Sequence, residues 1–217
     1  NYPIATPGGL SGVTPSENLV SAYEKLDNYS ASKPYDNRDP RLGYTVVVNG
    51  SEWNNRTIDQ TAGGTDDRRR ANASRTGYYL KKFVNDNVNL VNNATNPHNW
   101  PLFRYGDLLL IYAEAMNEAY GPDQANGWGL TAREAINKLR ARPGVDMPAV
   151  QASGKAELRT AIKHERQVEL AFENHRYWDL IRWGDAATVL NKPIYGVTVT
   201  KTTSGTLQYE TRQVQNR

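Results

Sequence analysis

The chain contains no cysteine. That excludes a disulfide framework, a thiolate nucleophile and any zinc site built on cysteine, and it leaves the compartment open. Histidine is nearly as scarce. Neither His98, His164 nor His175 has a glutamate three residues before it, so the Glu-x-x-His pairs of a di-iron bundle are missing and no metal is expected. No apolar run approaches the ~20 residues of a membrane span. There is no Gly-x-Ser-x-Gly elbow to support nucleophilic serine chemistry and no glycine-rich phosphate loop, and no cofactor is expected. Charge of one sign is also lacking: 26 basic against 23 acidic side chains leave +3, too little to predict nucleic-acid binding. The chain starts at Asn1 with no signal-like segment, which suggests a fragment of something longer.

What is present divides near Trp100. A chain of 217 residues can bury one sizeable core or two small ones. Residues 1–100 are rich in Gly, Asn, Asp and Pro and only briefly periodic, whereas residues 101–190 read as helices joined by turns. In the first part, Thr14-Pro15-Ser16-Glu17 has the form of a capping box and predicts a helix over 15–26. The β-branched run after Tyr44 and the Asn49-Gly50 turn signal predict a hairpin from Leu42 to Trp53. A second strand is expected within 77–84. Residues 54–74, with Asp66-Asp67-Arg68-Arg69-Arg70, are expected to form a loop carrying a solvated charge run.

In the second part, the spacing of Tyr105, Leu108, Leu109, Tyr112, Ala113, Met116, Ala119 and Tyr120 predicts an amphipathic helix over 102–120, with Asp107, Glu114 and Glu118 facing away. Thr131 and Glu134 form a second capping box opening a helix over 131–142, and alanine at the close-packing positions suggests an antiparallel hairpin of the tetratricopeptide kind. A helix over 157–173 is anomalous, because its apolar stripe of Leu158, Ala161, Ile162, Val168 and Phe172 also holds Glu165 and Glu169. Asn174 suits a left-handed break, followed by a segment with Arg176, Asp179, Leu180 and Trp183. Buried carboxylates need partners. Glu165, Arg166, Glu169, Glu173, Arg176, Asp179 and Arg182 are therefore assigned to a structural ion-pair network, with Arg166, Arg176 and Arg182 as the partners within the stretch. A glycosidase would want two carboxylates facing across a sugar, one with a raised pKa, and carboxylates on one helical face among arginines do not suit it, so no catalytic residue is assigned.

These same residues carry a family resemblance. Arg104-Tyr105-Gly106-Asp107-Leu108-Leu109-Leu110 running into Tyr112-Ala113-Glu114-Ala115, then Ala135-Ile136-Asn137 with Arg140-Ala141-Arg142, look like family segments. So do Glu165-Arg166 through Glu169-Leu170 to Phe172-Glu173, and His175-Arg176 to Asp179-Leu180-Ile181-Arg182-Trp183-Gly184. Together they resemble the C-terminal region of the SusD/RagB family of nutrient-binding outer-membrane lipoproteins. Pro15 to Tyr23, Asn37-Arg38-Asp39-Pro40-Arg41, Asn49-Gly50 before Trp53, and Thr76 to Phe83 are similar to family segments in the same order.

The resemblance implies a mainly α fold: a tetratricopeptide-like α–α superhelix scaffold over 101–190, long irregular loops and a small β-hairpin over 1–100 on the ligand side, and a truncated tail over 191–217. It implies a non-catalytic subunit that binds an oligosaccharide or other nutrient and serves a SusC-like TonB-dependent transporter. Such a subunit sits at the cell surface of the outer membrane, held only by a lipid anchor that this chain lacks. Asn174 stands where the family usually has glycine. Aromatic faces beside amides suit sugars, and Trp53, Tyr35, Tyr44, Asn54, Asn55 and Arg56 are the candidate ligand residues, Trp53 first among them. The alternative is a tetratricopeptide-type module that binds a protein partner, which explains the helices but not the long polar first half. A glycoside hydrolase ranks below both.

Overall fold

The computed structural model describes residues 1–215, and helix outweighs strand by 29% to 13%, so the fold is mainly α. The chain forms two compact units: Asn1–Arg38, Leu42–Asn99 and Ala186–Arg217 make the first, Asp39–Arg41 and Trp100–Asp185 the second.

The first half of the chain contains α1 (Glu17–Val20), α2 (Arg41–Thr45), β1 (Val46–Val47), β2 (Glu52–Trp53), β3 (Arg56–Thr57) and β4 (Tyr79–Leu80). The helix expected over 15–26 shrinks to the four residues of α1, because Ser16 rather than Thr14 is the N-cap and its side chain makes no capping bond. The expected hairpin is replaced by two pairings. β1 runs antiparallel to β4, Val46 opposite Leu80, and β2 antiparallel to β3, Trp53 opposite Arg56. The turn of this second pair is Asn54-Asn55, both at positive φ (47° and 61°), as a type I′ turn requires, whereas at Asn49-Gly50 only Gly50 is left-handed. The charge run is not uniformly solvated. Asp66 is 1% exposed and accepts from Arg56 at 2.6 and 3.0 Å, and Asp67 is buried and bound by Arg69 and the Gly63 N–H, while Arg68 to Arg70 face solvent.

The second unit holds α3 (Tyr105–Tyr120), α4 (Ala132–Arg140), α5 (Lys155–Glu169) and α6 (His175–Arg182). α3 packs against both α4 and α5. The Thr131 capping box is present as read, with Glu134 N–H to Thr131 Oγ1 at 3.1 Å and Thr131 N–H to Glu134 Oε2 at 2.7 Å. The buried face of α3 is turned from the expected stripe: Gly106, Leu109, Leu110, Ala113, Met116 and Asn117 are buried, while Tyr105 and Leu108 are each 59% exposed. Asp107, expected to face away, is 2% exposed, because Arg166 reaches it. α5 ends at Glu169, four residues before the expected stop. Phe172 (φ 63°) and Asn174 (φ 64°) are both left-handed, and the helix resumes at His175.

Ala113 on α3 and Ala132 and Ala135 on α4 have no exposed surface and sit among Leu110, Ile136 and Ile162. Ala113→Leu should therefore overpack this contact and lower stability by about 1–3 kcal/mol. A denaturation midpoint equal to that of the parent would show that α3 and α4 have slack between them.

Beyond the second unit, α7 (Ala186–Leu190) leads to a long hairpin, β5 (Ile194–Lys201) and β6 (Leu207–Gln215), paired antiparallel along their length. The sequence reading gave 191–217 as a tail and missed this element. The β-branched alternation of residues 194–200 and the Ser204-Gly205 turn were the available signals. β5 packs on α1, and a Cβ on Gly196 would lie 2.4 Å from the Thr76 carbonyl oxygen, so glycine is what allows the close approach there.

Candidate functional site

Two arrangements of side chains stand out, one in each unit. In the second unit the carboxylates of Glu165, Glu169 and Glu173 are buried and engaged by arginines. Glu165, 0% exposed, accepts Arg41 Nη1 on one oxygen and Arg140 Nη1 on the other, the latter at 2.8 Å. Glu169 accepts Arg104 at 2.6 Å and Arg142 at 2.7 Å on Oε1, and Arg41 and Arg142 at 2.9 Å on Oε2. Glu173 receives a two-pronged pair from Arg104, at 2.7 and 2.8 Å, and Arg41 turns its other edge to Asp39. Four carboxylates (Asp39, Glu165, Glu169, Glu173) thus meet four guanidiniums (Arg41, Arg104, Arg140, Arg142). Burial alone would raise the Glu169 pKa, but the hydrogen bonds and charges of Arg142 and Arg104 outweigh it and bring it down to about 2. Gly106 leaves room for this network, since a Cβ there would lie 2.6 Å from Arg104 Nη1 and 3.2 Å from Glu169 Oε1.

A second ionic cluster joins α3, α5 and α6. Arg166 donates to Asp179 at 2.8 Å and to Asp107 at 3.2 Å, and Arg182 bonds both Asp179 and Glu114. Arg176, expected as a partner, makes no hydrogen bond or ion pair among the described residues and is half-buried, with burial lowering its pKa against the pull of Asp179 and Asp185. The main partners of Glu165 and Glu169 lie outside the stretch in which they were sought. Arg41 is 124 and 128 residues away, and Arg104 and Arg142 are 65 and 27 residues from Glu169. Beside this cluster runs a groove of about 540 Å³ between α3 and α6, walled by Phe103, Ile111 and Trp178.

In the first unit, a cavity of about 340 Å³ is lined by Tyr29, Tyr35, Tyr78 and Tyr209, with Glu17 and Lys25. Tyr35 meets Tyr78 and Tyr209 edge to face, with ring centroids 6.2 and 5.4 Å apart. Its hydroxyl donates to the Tyr78 hydroxyl at 3.4 Å, and Tyr78 donates in turn to Glu17. Burial pushes both phenol pKa values up, so both remain protonated. The direction of donation leaves the Tyr35 oxygen free to accept from a ligand hydroxyl.

The candidate ligand residues separate. Tyr35 is in the cavity. Trp53 is 2% exposed in a core with Val47, Ile58 and Tyr79, and so is removed from any surface platform: its ring is what this small core closes around. Asn54 and Asn55 are exposed at the β2–β3 turn, Arg56 is committed to Asp66, and Tyr44 stands 59% exposed on α2. Tyr78 and Tyr209 were not among the candidates. Tyr78 lay in a segment read only as strand, and Tyr209 in the supposed tail.

The packed helices α3, α4 and α5 place the second unit among tetratricopeptide-like helical scaffolds. The chain belongs to the SusD family, whose model matches residues 3–217. SusD-like protein P38 of Formosa agariphila is 39% identical over 97 residues, which are 45% of this chain and 19% of that protein. SusD-like protein P25 of the same organism is 37% identical over 108 residues, 49% of this chain and 19% of that protein. Among solved structures, a SusD-like carbohydrate binding protein from Bacteroides fragilis is 31% identical with a TM-score of 0.71, covering 84% of this chain and 37% of that one. A further SusD-like protein of that species is 25% identical with a TM-score of 0.73, covering 95% and 42%. The chain thus matches less than half the length of each of these proteins.

Proposed function

We propose that the chain belongs to a non-catalytic glycan- or nutrient-binding subunit of an outer-membrane uptake complex, lipid-anchored at the cell surface and passing its ligand to a TonB-dependent transporter. The observation that carries the reading is the tyrosine cavity in a member of the SusD family, because several phenol rings with oriented hydroxyls suit the CH faces and hydroxyls of a sugar. The relative described as a carbohydrate binding protein agrees with it. Absence of turnover is supported by the buried carboxylates. Glu169, held near 2 and bound by three arginines, has no proton to give at neutral pH and no lone pair aimed at solvent.

A glycan panel of neutral and acidic oligosaccharides, read by calorimetry, tests this. At least one glycan should bind without being cleaved on prolonged incubation. Tyr35→Ala should weaken that binding by about 2 kcal/mol, the loss typical of a central contact, while Tyr35→Phe isolates the hydroxyl. Release of product, or full affinity in Tyr35→Ala, would contradict the proposal.

A further inference from the structure

Two cations, Lys25 and Arg38, line the tyrosine cavity against a single carboxylate, Glu17. Lys25 and Arg38 are partners across an isolated antiparallel bridge, and the Leu26 N–H donates to the Asn37 carbonyl at 2.8 Å beside it. Their side chains reach the same ring: Lys25 Nζ lies 4.4 Å and Arg38 Cζ 5.8 Å from the centroid of Tyr29. Like charges placed opposite one another repel, and this arrangement keeps them together. Arg38 is 8% exposed, and its guanidinium is held by main-chain carbonyls alone: Val20 at 2.7 Å, Tyr23 at 2.6 Å, Glu24 at 3.3 Å and Pro34 at 2.9 Å. Among the described residues neither Lys25 nor Arg38 forms an ion pair. Glu17, the carboxylate that lines the cavity, accepts from the hydroxyls of Tyr78 and Ser21 rather than from either cation, so its one negative charge faces two positive ones and the lining keeps a positive balance.

Carbonyl dipoles fix the position of the Arg38 charge but do not cancel it, and a desolvated charge bonded only to neutral groups favours an incoming anion. Tyrosine rings alone would take any sugar. We propose that this cavity selects a sugar bearing an anionic substituent, a carboxylate or a sulfate, which meets the Lys25 ammonium in the field of Arg38 while the tyrosine rings hold the sugar body. The inference rests on the glycan-binding reading and adds the charge of the ligand to it.

The test is calorimetric titration of this chain with three probes: trigalacturonate, a sulfated galactotriose and uncharged galactotriose. At least one anionic probe should bind about tenfold more tightly than galactotriose, as expected of one hydrogen bond to a charged group, and the preference should shrink as salt is raised. Which of the two anionic probes binds distinguishes carboxylate from sulfate. Lys25→Gln should remove the preference and Lys25→Arg should keep it, while Lys201→Gln, at an exposed position outside the cavity, should leave it unchanged. Equal binding of all three probes would overturn the charge inference and leave glycan binding standing. Binding of none, or a preference that survives Lys25→Gln, would overturn the inference, and the fate of the broader reading then rests on the glycan panel and Tyr35→Ala.

Discussion

Glu169→Ala should destabilise the chain by roughly 3–5 kcal/mol, the cost of breaking a buried ion pair by removing one partner. Three guanidiniums, those of Arg41, Arg104 and Arg142, share the Glu169 carboxylate, and two of its neighbours, Glu165 and Glu173, are held by the same arginines. Removal of one carboxylate therefore leaves several positive charges clustered behind it, with Arg41 4% exposed at its side chain. The pH dependence follows from the pKa. It is lowered from 4.5 in the unfolded reference to about 2 in the fold, so the stabilisation is fully present above about 4.5 and is lost as pH falls through about 2. The parent should lose stability steeply over that interval, and Glu169→Gln, which has no charge to lose, should show a flatter curve there. Urea denaturation from pH 7 down to pH 2 measures both quantities. A Glu169→Ala midpoint equal to the parent's, or parallel pH curves for the parent and Glu169→Gln, would mean that the network is solvated in solution.

The helices of the second unit were legible because their signals are local. Thr131 and Glu134 sit three residues apart, and the apolar periods of α3 and α5 lie within single helices, so a sequence window contains the whole cause. The anomaly of Glu165 and Glu169 on an apolar stripe was legible too, and it pointed to a buried network. What a window cannot hold is the partner. Arg41 lies in a loop-rich segment more than a hundred residues earlier, and nothing in its neighbours announces that it will neutralise α5. The same limit misplaced the hairpin: Asn49-Gly50 is the better local turn, but β1 finds its partner in β4, and the tight turn falls at Asn54-Asn55 instead. The tyrosine cavity draws its rings from residues 29, 35, 78 and 209, four separate segments. Tyr35 was singled out from its own loop, but Tyr78 and Tyr209 look ordinary in theirs.

Trp53→Ala carries the other large expected effect, and it reverses the role that the sequence assigned. In an Asn-rich loop after a supposed hairpin, Trp53 reads as a stacking platform whose loss would weaken binding and spare the fold. In the structure it is 2% exposed and forms, with Val47, Ile58 and Tyr79, a small core against which Tyr2 stands edge-on at 6.0 Å. The β2–β3 pairing spans two residues on each strand, too few to be stable without a packed face, and the Trp53 ring supplies that face. Truncation to alanine should therefore cost about 3–5 kcal/mol, as for other buried large aromatics. Trp53→Phe should cost less, since much of the ring remains and the indole Nε1–H, which has no hydrogen-bond partner among the described residues, is removed with no bond lost. Thermal unfolding of the two variants, with glycan affinity measured well below their transitions, separates the two roles. Ala should melt far below Phe, and Phe below the parent, with affinity per folded molecule unchanged. A Trp53→Ala variant that melts with the parent and loses its ligand would restore the platform and move the binding site from the tyrosine cavity to the β2–β3 turn.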